Sequence, residues 1–178
     1  MNRLFHLTIG LVLLCVSALA SAAEWSMSYG NSPQPGGAQD NQMIAADLLI
    51  QEWQRSDVQR LSWGASITHL KTNAIEGNSN ITALSLFPEL KLLQPIGKQL
   101  YYFQVRALGP TWLSEKQLGD RYQASQFALL AQVGAGMYFG PERNSSIGFF
   151  YRHFSNANID QPNDGLDVLF NLSFGHRF

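Results

Sequence analysis

Apolar and polar residues alternate along most of the chain, and this period of two constrains the fold more than any other feature. In the segment LSWGASIT, residues 61–68, apolar side chains occupy the odd positions and small or polar ones the even positions. Successive side chains of a β-strand point to opposite faces, so the pattern predicts strands with one apolar face. Beyond the N-terminal segment, no run approaches the roughly 18 apolar residues that a membrane-spanning helix needs. We therefore expect an all-β protein.

Eight segments are predicted as strands, and most have the length of a membrane crossing. They cover residues 24–30, 43–53, 60–70, 81–93, 99–109, 121–139, 146–155 and 167–178. A tilted strand crosses a bilayer in about ten residues, and an even number of antiparallel strands closes without leaving an edge. The sixth segment is too long for one crossing unless it projects beyond the membrane. The pattern predicts an eight-stranded antiparallel transmembrane β-barrel of the bacterial outer membrane.

A soluble eight-stranded lipid carrier is the structural alternative, because its alternating strands would turn their apolar residues inward. The chain contains 11 Phe, 6 Tyr and 4 Trp, and only 14% of its residues are charged. That composition is unusual for a small soluble secreted domain without disulfides. The terminal Phe178 ends an alternating apolar strand, and such an ending resembles the assembly signal of bacterial outer-membrane proteins. These features favour the membrane barrel.

The N-terminal segment, residues 1–23, has the pattern of a secretory signal peptide. Arg3 supplies a positive start, and an apolar run that ends in small residues follows it. Cleavage is expected after Ala22 or Ala23. The remaining residues, 24–178, are then expected to form a single barrel domain.

The composition argues against several kinds of site. The only cysteine, Cys15, lies in the predicted signal peptide, so the secreted chain would have no disulfide, thiol nucleophile or thiolate metal site. The formal net charge of −1 gives no indication of a nucleic-acid partner. His69 and His176 each lack a second histidine or carboxylate at ligand spacing, so we interpret both as rim or wall residues. No metal or other cofactor is expected.

A polar set interrupts the membrane pattern near the C-terminus, where residues 152–167 read RHFSNANIDQPNDGLD. On the seventh predicted strand, His153 and Ser155 share a face with apolar residues, so both are expected to project toward lipid near the outer rim. Strand neighbours two apart are separated by about 6.6 Å along the chain. A general base beside a hydroxyl is what makes serine a nucleophile. The pair is therefore a candidate for nucleophilic catalysis.

Asp167 is the candidate for the acid that would fix the imidazole tautomer and stabilise the imidazolium. Its parity opposes that of Val168 and Phe170, which are expected on the lipid-facing side of the last strand. We therefore expect Asp167 in the turn or at a local irregularity of the strand. A simpler interpretation of the same residues is that histidine and serine at a barrel rim contact lipid head groups, and that the loop residues are ordinary turn formers.

The segment HFSNA, residues 153–157, followed by QPNDG, residues 161–165, closely resembles the active-site segment of the lipid A 3-O-deacylases, the PagL family of Gram-negative outer membranes. The resemblance implies an eight-stranded barrel that hydrolyses the ester-linked 3-hydroxyacyl chain at the 3 position of lipid A. It implies lipid A or lipopolysaccharide in the outer leaflet, with other membrane lipids, as partners. It requires no cofactor and leaves open whether the protein forms a homodimer.

The resemblance also implies a role for each member of the polar set. By position, Ser155 corresponds to the nucleophile and His153 to the general base and acid. The acid position falls on Asp167, where the best-known pattern of the family has glutamate. Aspartate keeps the charge but shortens the reach by one methylene. The orientation of His153 therefore depends on how Asp167 is held.

The oxyanion of the acyl-transfer intermediate needs its own donors. The resemblance implies that the side chain of Asn163 contributes to the oxyanion hole, together with backbone N–H groups near Ala157 and Asn158. Aligned donors of this kind contribute about 3 kcal/mol each to transition-state stabilisation. Water would then release the acyl group from the serine.

Two other functions stay open at this point. The first is an outer-membrane phospholipase acting on glycerophospholipids, although the usual barrel of that group is longer and an asparagine completes its triad. The second is a non-enzymatic small barrel for adhesion or membrane integrity. In that case Ser155→Ala would change no lipid. The motif Gly-x-Ser-x-Gly of the α/β-hydrolases does not occur.

Overall fold

The computed structural model describes residues 23–178, and its strands follow the alternation of the sequence. The signal peptide predicted for residues 1–23 lies outside that range, apart from Ala23. No helix in the described range is long and apolar enough to cross a membrane. The strands are β1 (Glu24–Pro33), β2 (Asp40–Ser56), β3 (Gln59–Thr72), β4 (Asn80–Ile96), β5 (Gln99–Leu113), β6 (Gln117–Leu118), β7 (Arg121–Tyr122), β8 (Phe127–Phe139), β9 (Ser145–Ser155) and β10 (Leu166–Arg177).

Eight strands close into one antiparallel barrel in the order β1-β10-β9-β8-β5-β4-β3-β2, and β2 pairs with β1 to complete the ring. This confirms the predicted eight-stranded barrel. The two short strands β6 and β7 form a separate sheet inside the connection between β5 and β8. The predicted start of the sixth strand at residue 121 is therefore wrong, because Gly119, at φ 58°, allows a tight turn that pairs residues 121–122 with 117–118.

The two faces of the barrel wall differ as the alternation predicts. On β3, Trp63 and Ile67 face outward and are 41% and 51% exposed. Ser66 and Thr68 of the same strand face inward and are 5% and 0% exposed. A barrel of about eight strands has an interior just wide enough for side chains to fill it. The apolar face predicted for this strand therefore lies outside, which is the opposite of what a soluble lipid carrier requires.

Six charged side chains of alternating sign run through the barrel interior, each no more than 5% exposed. In order along the barrel they are Arg152, Asp47, Arg106, Glu89, Lys91 and Glu24. Asp47 Oδ2 lies 2.7 Å from Arg152 Nη2 and 2.5 Å from Arg106 Nη1. At the other end, Lys91 Nζ lies 2.7 Å from Glu24 Oε2. Burial of these charges is tolerated because each one has a partner of opposite sign.

The connections between strands differ in length at the two ends of the barrel. At the end that holds both chain termini of the barrel, the turns comprise residues 57–58, 97–98 and 140–144. At the opposite end, the connections comprise residues 34–39, 73–79, 114–126 and 156–165. Short and long connections thus alternate along the chain, as an up-and-down barrel requires. The polar segment after β9 therefore lies at the end with the longer loops.

A β-bulge in β10 determines which of its residues face outward. The pairing of β10 with β9 shifts its register between Val168 and Asn171. Val168 is fully buried whereas Phe170 is 69% exposed, so the common face predicted for these two residues is wrong. The bulge inserts one extra residue and reverses the parity on its far side. It is the local irregularity expected near Asp167, and it lets Asp167 lie opposite His153 in the ladder.

Candidate active site

Strand β9 carries two polar side chains on its outer face near the loop-bearing end of the barrel. His153 and Ser155 are both partly exposed. Arg152, which precedes them, and Phe154, which lies between them, point into the barrel and are 0% and 1% exposed. The pleat of the strand explains this division, because alternate residues point to opposite sides. The histidine and the serine therefore border the same outer surface.

The carboxylate of Asp167 contacts the imidazole of His153 across the β9–β10 ladder. The distance from His153 Nδ1 to Asp167 Oδ1 is 2.8 Å, and the two side chains are 28% and 10% exposed. A carboxylate at this position accepts the proton on Nδ1 and leaves Nε2 as the basic nitrogen. The pair thus has the geometry of a base and the acid that orients it.

Ser155 follows His153 by one full pleat on the same face, a separation of about 6.6 Å along the strand. Among residues 23–178, the structure contains no hydrogen bond between the serine hydroxyl and the imidazole. Contacts of this kind are often long in substrate-free enzymes and shorten when the substrate binds. The imidazole ring and the hydroxyl nevertheless border one outer surface of the barrel.

Two further side chains hold the carboxylate of Asp167, and sequence reasoning missed both. The hydroxyl of Tyr151 donates to Oδ1, and Gln34 Nε2 donates to Oδ2 at 2.8 Å. Tyr151 has the same strand parity as His153, so its position on the face was visible in the sequence. Gln34 lies 133 residues before Asp167, and only closure of β1 against β10 brings it there.

The loop of residues 156–165 places the side-chain amide of Asn163 beside the end of β9. Asn163 Oδ1 accepts a hydrogen bond from the N–H of Asn156 at 2.9 Å, and its Nδ2 donates to Asn158 Oδ1 at 3.0 Å. An amide nitrogen carries two hydrogens, so one donor of Nδ2 is left over. These contacts fix which way the amide of Asn163 points.

The backbone just after Ser155 takes a conformation that few non-glycine residues adopt. Ala157 and Asn158 have φ values of 55° and 60°. This left-handed conformation costs of order 1 kcal/mol or more per residue and is concentrated at functional sites. Within the described part of the chain, the N–H groups of these two residues donate to no acceptor. The loop therefore offers backbone donors close to the serine.

The insertion that carries β6 and β7 braces this loop from the side. The N–H of Asp164 donates to the carbonyl oxygen of Tyr122 at 3.0 Å, and the N–H of Tyr122 donates back to Asp164 Oδ2 at 2.8 Å. The N–H of Ala124 donates to the carbonyl oxygen of Pro162 at 2.7 Å. Asn163 lies between these anchored residues, so the insertion limits its movement.

Gly165 lets the chain pass directly over the imidazole. Its φ is 66°, and a Cβ built there would lie 2.9 Å from Cε1 of His153. Any other residue would be strained in the backbone and would press on the ring. The glycine therefore contributes to the position of His153.

Within residues 23–178, no group of three or more His, Cys, Asp or Glu side chains is arranged to hold a metal ion. The two remaining histidines of the described range contact hydroxyl groups instead. His69 Nδ1 lies 3.2 Å from the hydroxyl of Thr82, and His176 Nδ1 lies 3.5 Å from that of Ser145. Both contacts connect neighbouring strands and fit the interpretation of these histidines as wall or rim residues.

Comparison with known proteins identifies relatives of this barrel. The family model described as lipid A 3-O-deacylase (PagL) matches residues 45–177, which include all the site residues predicted above. Lipid A deacylase PagL of Bordetella bronchiseptica is 35% identical over 71 residues, covering 40% of this chain and 38% of that protein. Lipid A deacylase PagL of Pseudomonas aeruginosa is 28% identical over 174 residues, covering 94% of each. A crystal structure of the outer membrane enzyme PagL has the same fold, with a TM-score of 0.66 at 20% identity, over 88% of this chain and 100% of that one.

Proposed function

The chain belongs to the PagL family of lipid A 3-O-deacylases, and on that premise we propose that it hydrolyses the ester-linked 3-hydroxyacyl chain at the 3 position of lipid A. One observation supports this substrate above all. The His153–Asp167 pair and Ser155 lie on the outer wall of the barrel, among side chains that face lipid. An ester within a membrane lipid has direct access to that surface, whereas a water-soluble substrate does not.

The proposed reaction is acyl transfer from the sugar to water through a serine ester. Ser155 Oγ attacks the ester carbonyl while His153 Nε2 takes the hydroxyl proton. The tetrahedral intermediate collapses, the sugar oxygen leaves, and His153 returns the proton to it. Water then attacks the acyl-serine while His153 takes a proton from it. The second tetrahedral intermediate collapses, His153 returns that proton to Ser155 Oγ, and the 3-hydroxy fatty acid leaves. Asp167 stabilises the imidazolium in both halves of the reaction.

The negative oxygen of each tetrahedral intermediate requires hydrogen-bond donors that are in place beforehand. The free hydrogen of Asn163 Nδ2 and the N–H groups of Ala157 and Asn158 are the donors we propose. The hydrogen bond from the N–H of Asn156 to Asn163 and the contacts with the β6–β7 insertion hold the loop that carries these donors. Removing one such donor typically lowers kcat by about 10²- to 10³-fold.

The surroundings of the site suit the acyl chain of such a substrate. Phe149 on β9 is 67% exposed and Phe170 on β10 is 69% exposed, and both face outward. The substrate reaches the site by lateral diffusion in the leaflet, because the interior of the barrel is occupied by buried side chains. We place the end with the longer loops, and with it the active site, at the outer leaflet of the outer membrane. Residues 1–23 would direct export of the barrel domain, residues 24–178.

The test is mass spectrometry of lipid A from a Gram-negative host that expresses the chain, beside a host that expresses Ser155→Ala. Folding of each barrel is checked by its altered mobility on a gel without heating. We expect loss of one 3-hydroxyacyl group with the wild type and unchanged lipid A with Ser155→Ala. Unchanged lipid A with a folded wild type, both in cells and in detergent micelles, would contradict the proposal. Fatty acid release from glycerophospholipids instead would indicate the phospholipase alternative.

A further inference from the structure

The acid of the site is held from inside the barrel as well as from outside. Gln34 follows β1 directly and is 2% exposed. Its Nε2 donates to Asp167 Oδ2 at 2.8 Å, and its Oε1 accepts from the N–H of Asp167 at 3.0 Å. A single amide therefore contacts both the carboxylate and the backbone of the acid. The contact joins the end of β1 to β10, the two strands that close the barrel, and reaches the carboxylate that contacts His153.

The orientation of the Gln34 amide is fixed by a second buried amide. Asn41 is 0% exposed, and its Nδ2 donates to Gln34 Oε1 at 2.5 Å and to the carbonyl oxygen of Asp167 at 3.0 Å. Gln34 Oε1 thus accepts two hydrogen bonds, and a flipped amide would lose both. The NH₂ group of Gln34 must therefore face the carboxylate.

The orientation of Asn41 is determined in turn by the β6–β7 insertion. Gln39 Nε2 donates to Asn41 Oδ1 at 3.0 Å, and Gln39 Oε1 accepts from the N–H of Asp120 at 2.8 Å. Gln39 Nε2 also lies 3.3 Å from the carbonyl oxygen of Leu118. Gln39 thus orients the amide of Asn41, and Asn41 orients the amide of Gln34. Buried hydrogen-bond networks that are satisfied in this way rigidify their members.

The carboxylate of Asp167 needs such support because His153 and Tyr151 both contact Oδ1, and rotation about the Cβ–Cγ bond would move that oxygen away from them. A donor on Oδ2 prevents that rotation, and a hydrogen bond to a charged group is stronger than one between neutral groups. We propose that Gln34 is a positioning residue for the reaction, whose amide holds the carboxylate of Asp167 in the plane that keeps Nδ1 of His153 hydrogen-bonded. This inference rests on the proposed function, because Gln34 acts through Asp167 and His153.

Gln34→Met is the most selective change, because it removes the donor, keeps nearly the length of the side chain and adds no charge beside Asp167. Gln34→Glu is the second variant. Its carboxyl group still accepts from Asn41 and from the N–H of Asp167, but it places a second carboxyl group against that of Asp167. Gln104→Glu is the matched control, since Gln104 is 3% exposed and its Nε2 has no partner within the described residues. Gln104 lies on β5, which is not adjacent to β1, β9 or β10.

Full-length folded proteins in detergent micelles are compared for kcat and KM with lipid A as substrate. Displacement of a catalytic group costs up to about 100-fold in rate. We expect Gln34→Glu or Gln34→Met to lower kcat by about 10- to 100-fold with KM changed by less than about twofold. Gln104→Glu should stay within about twofold of the wild type in both constants. An unchanged kcat in the Gln34 variants, or an equal loss in Gln104→Glu, would overturn the proposal.

A second comparison separates positioning from a purely structural role. The same Gln34 substitution is made in Asp167→Ala and followed in single-turnover assays with enzyme in excess. If Gln34 acts through Asp167, the substitution adds less than about a twofold loss there, because groups in one network are not additive. A structural role would repeat the full loss and overturn the inference. Ser155→Ala is measured beside these variants: deacylation that persists in it refutes the proposed function itself, whereas an inactive Ser155→Ala with fully active Gln34 variants refutes only the positioning role.

Discussion

His153 Nδ1 and Asp167 Oδ1 lie 2.8 Å apart, because β9 and β10 place the two residues directly opposite each other in the ladder. The side chains of such directly opposed residues are close enough for direct interaction. The short reach of aspartate is therefore sufficient where the partner is its ladder neighbour. The substitution of glutamate by aspartate in the family pattern is compatible with contact to the base.

Asp167→Asn is expected to lower kcat for lipid A by about 10³- to 10⁴-fold, because an amide neither stabilises the imidazolium of His153 nor fixes the tautomer of its neutral imidazole. The rate is measured with purified protein in detergent micelles. Asp57→Asn is the control, since Asp57 is exposed in a turn at the opposite end of the barrel. A kcat in Asp167→Asn within about tenfold of the wild type would show that this contact is not the acid–base pair of the reaction.

Asn163→Ala is expected to lower kcat by about 10²-fold or more with a small change in KM, because the oxyanion loses a donor while the ground-state ester does not. Steady-state kinetics on lipid A separate the two constants. Asn80→Ala, an exposed residue at the same end of the barrel, should behave as the wild type. A rise in KM alone would indicate that Asn163 binds substrate and does not stabilise the intermediate.

Gly165→Ala is expected to lower kcat by about 10- to 100-fold, because the new Cβ meets the ring of His153 and displaces it. Gly97→Ala is a close control. Gly97 has a φ of 59°, similar to the 66° of Gly165, but a Cβ there has nothing within 4 Å. Both variants carry the same backbone strain, so comparison of their rates isolates the contact with the imidazole. Equal activity in the two variants would contradict the role given to Gly165.

Asp47→Ala is expected to destabilise the barrel by about 3–5 kcal/mol, because it leaves buried positive charge without its partner. Asp47 Oδ2 is shared by Arg106 and Arg152, at 2.5 and 2.7 Å. Guanidinium chloride unfolding in detergent measures the change, and Asp57→Ala, in an exposed turn, is the reference. A loss below about 1 kcal/mol, the size of a surface pair, would show that the two arginines are compensated by other groups.

The barrel itself was predictable from sequence because period-two alternation is a local property of each strand. Residues 61–68 show it without interruption, and the structure confirms both the strand and its two faces. The last strand was harder to predict. Apolar residues occupy both parities between Leu166 and Phe170, so no local signal marks the bulge, and the face of Val168 was assigned wrongly. The bulge becomes visible only in the pairing of β10 with β9.

The candidate site shows the same limit of local reasoning. His153 and Ser155 stand out because they are polar residues on a face that is otherwise apolar. Gln34 and Asn41 are ordinary residues in and beside a loop, and their contact with Asp167 depends on closure of the barrel between its first and last strands. The local pattern of the sequence therefore indicates the polar residues of the candidate site. The groups that hold them come from distant parts of the chain.

The alternating charges inside the barrel also decide what this protein does to the membrane around it. Arg152, Asp47 and Arg106 lie side by side across the lumen, with Arg152 fully buried. An interior filled in this way leaves no continuous path for water or ions along the axis. We therefore expect the barrel to add a lipid-modifying activity to its membrane without adding a pore.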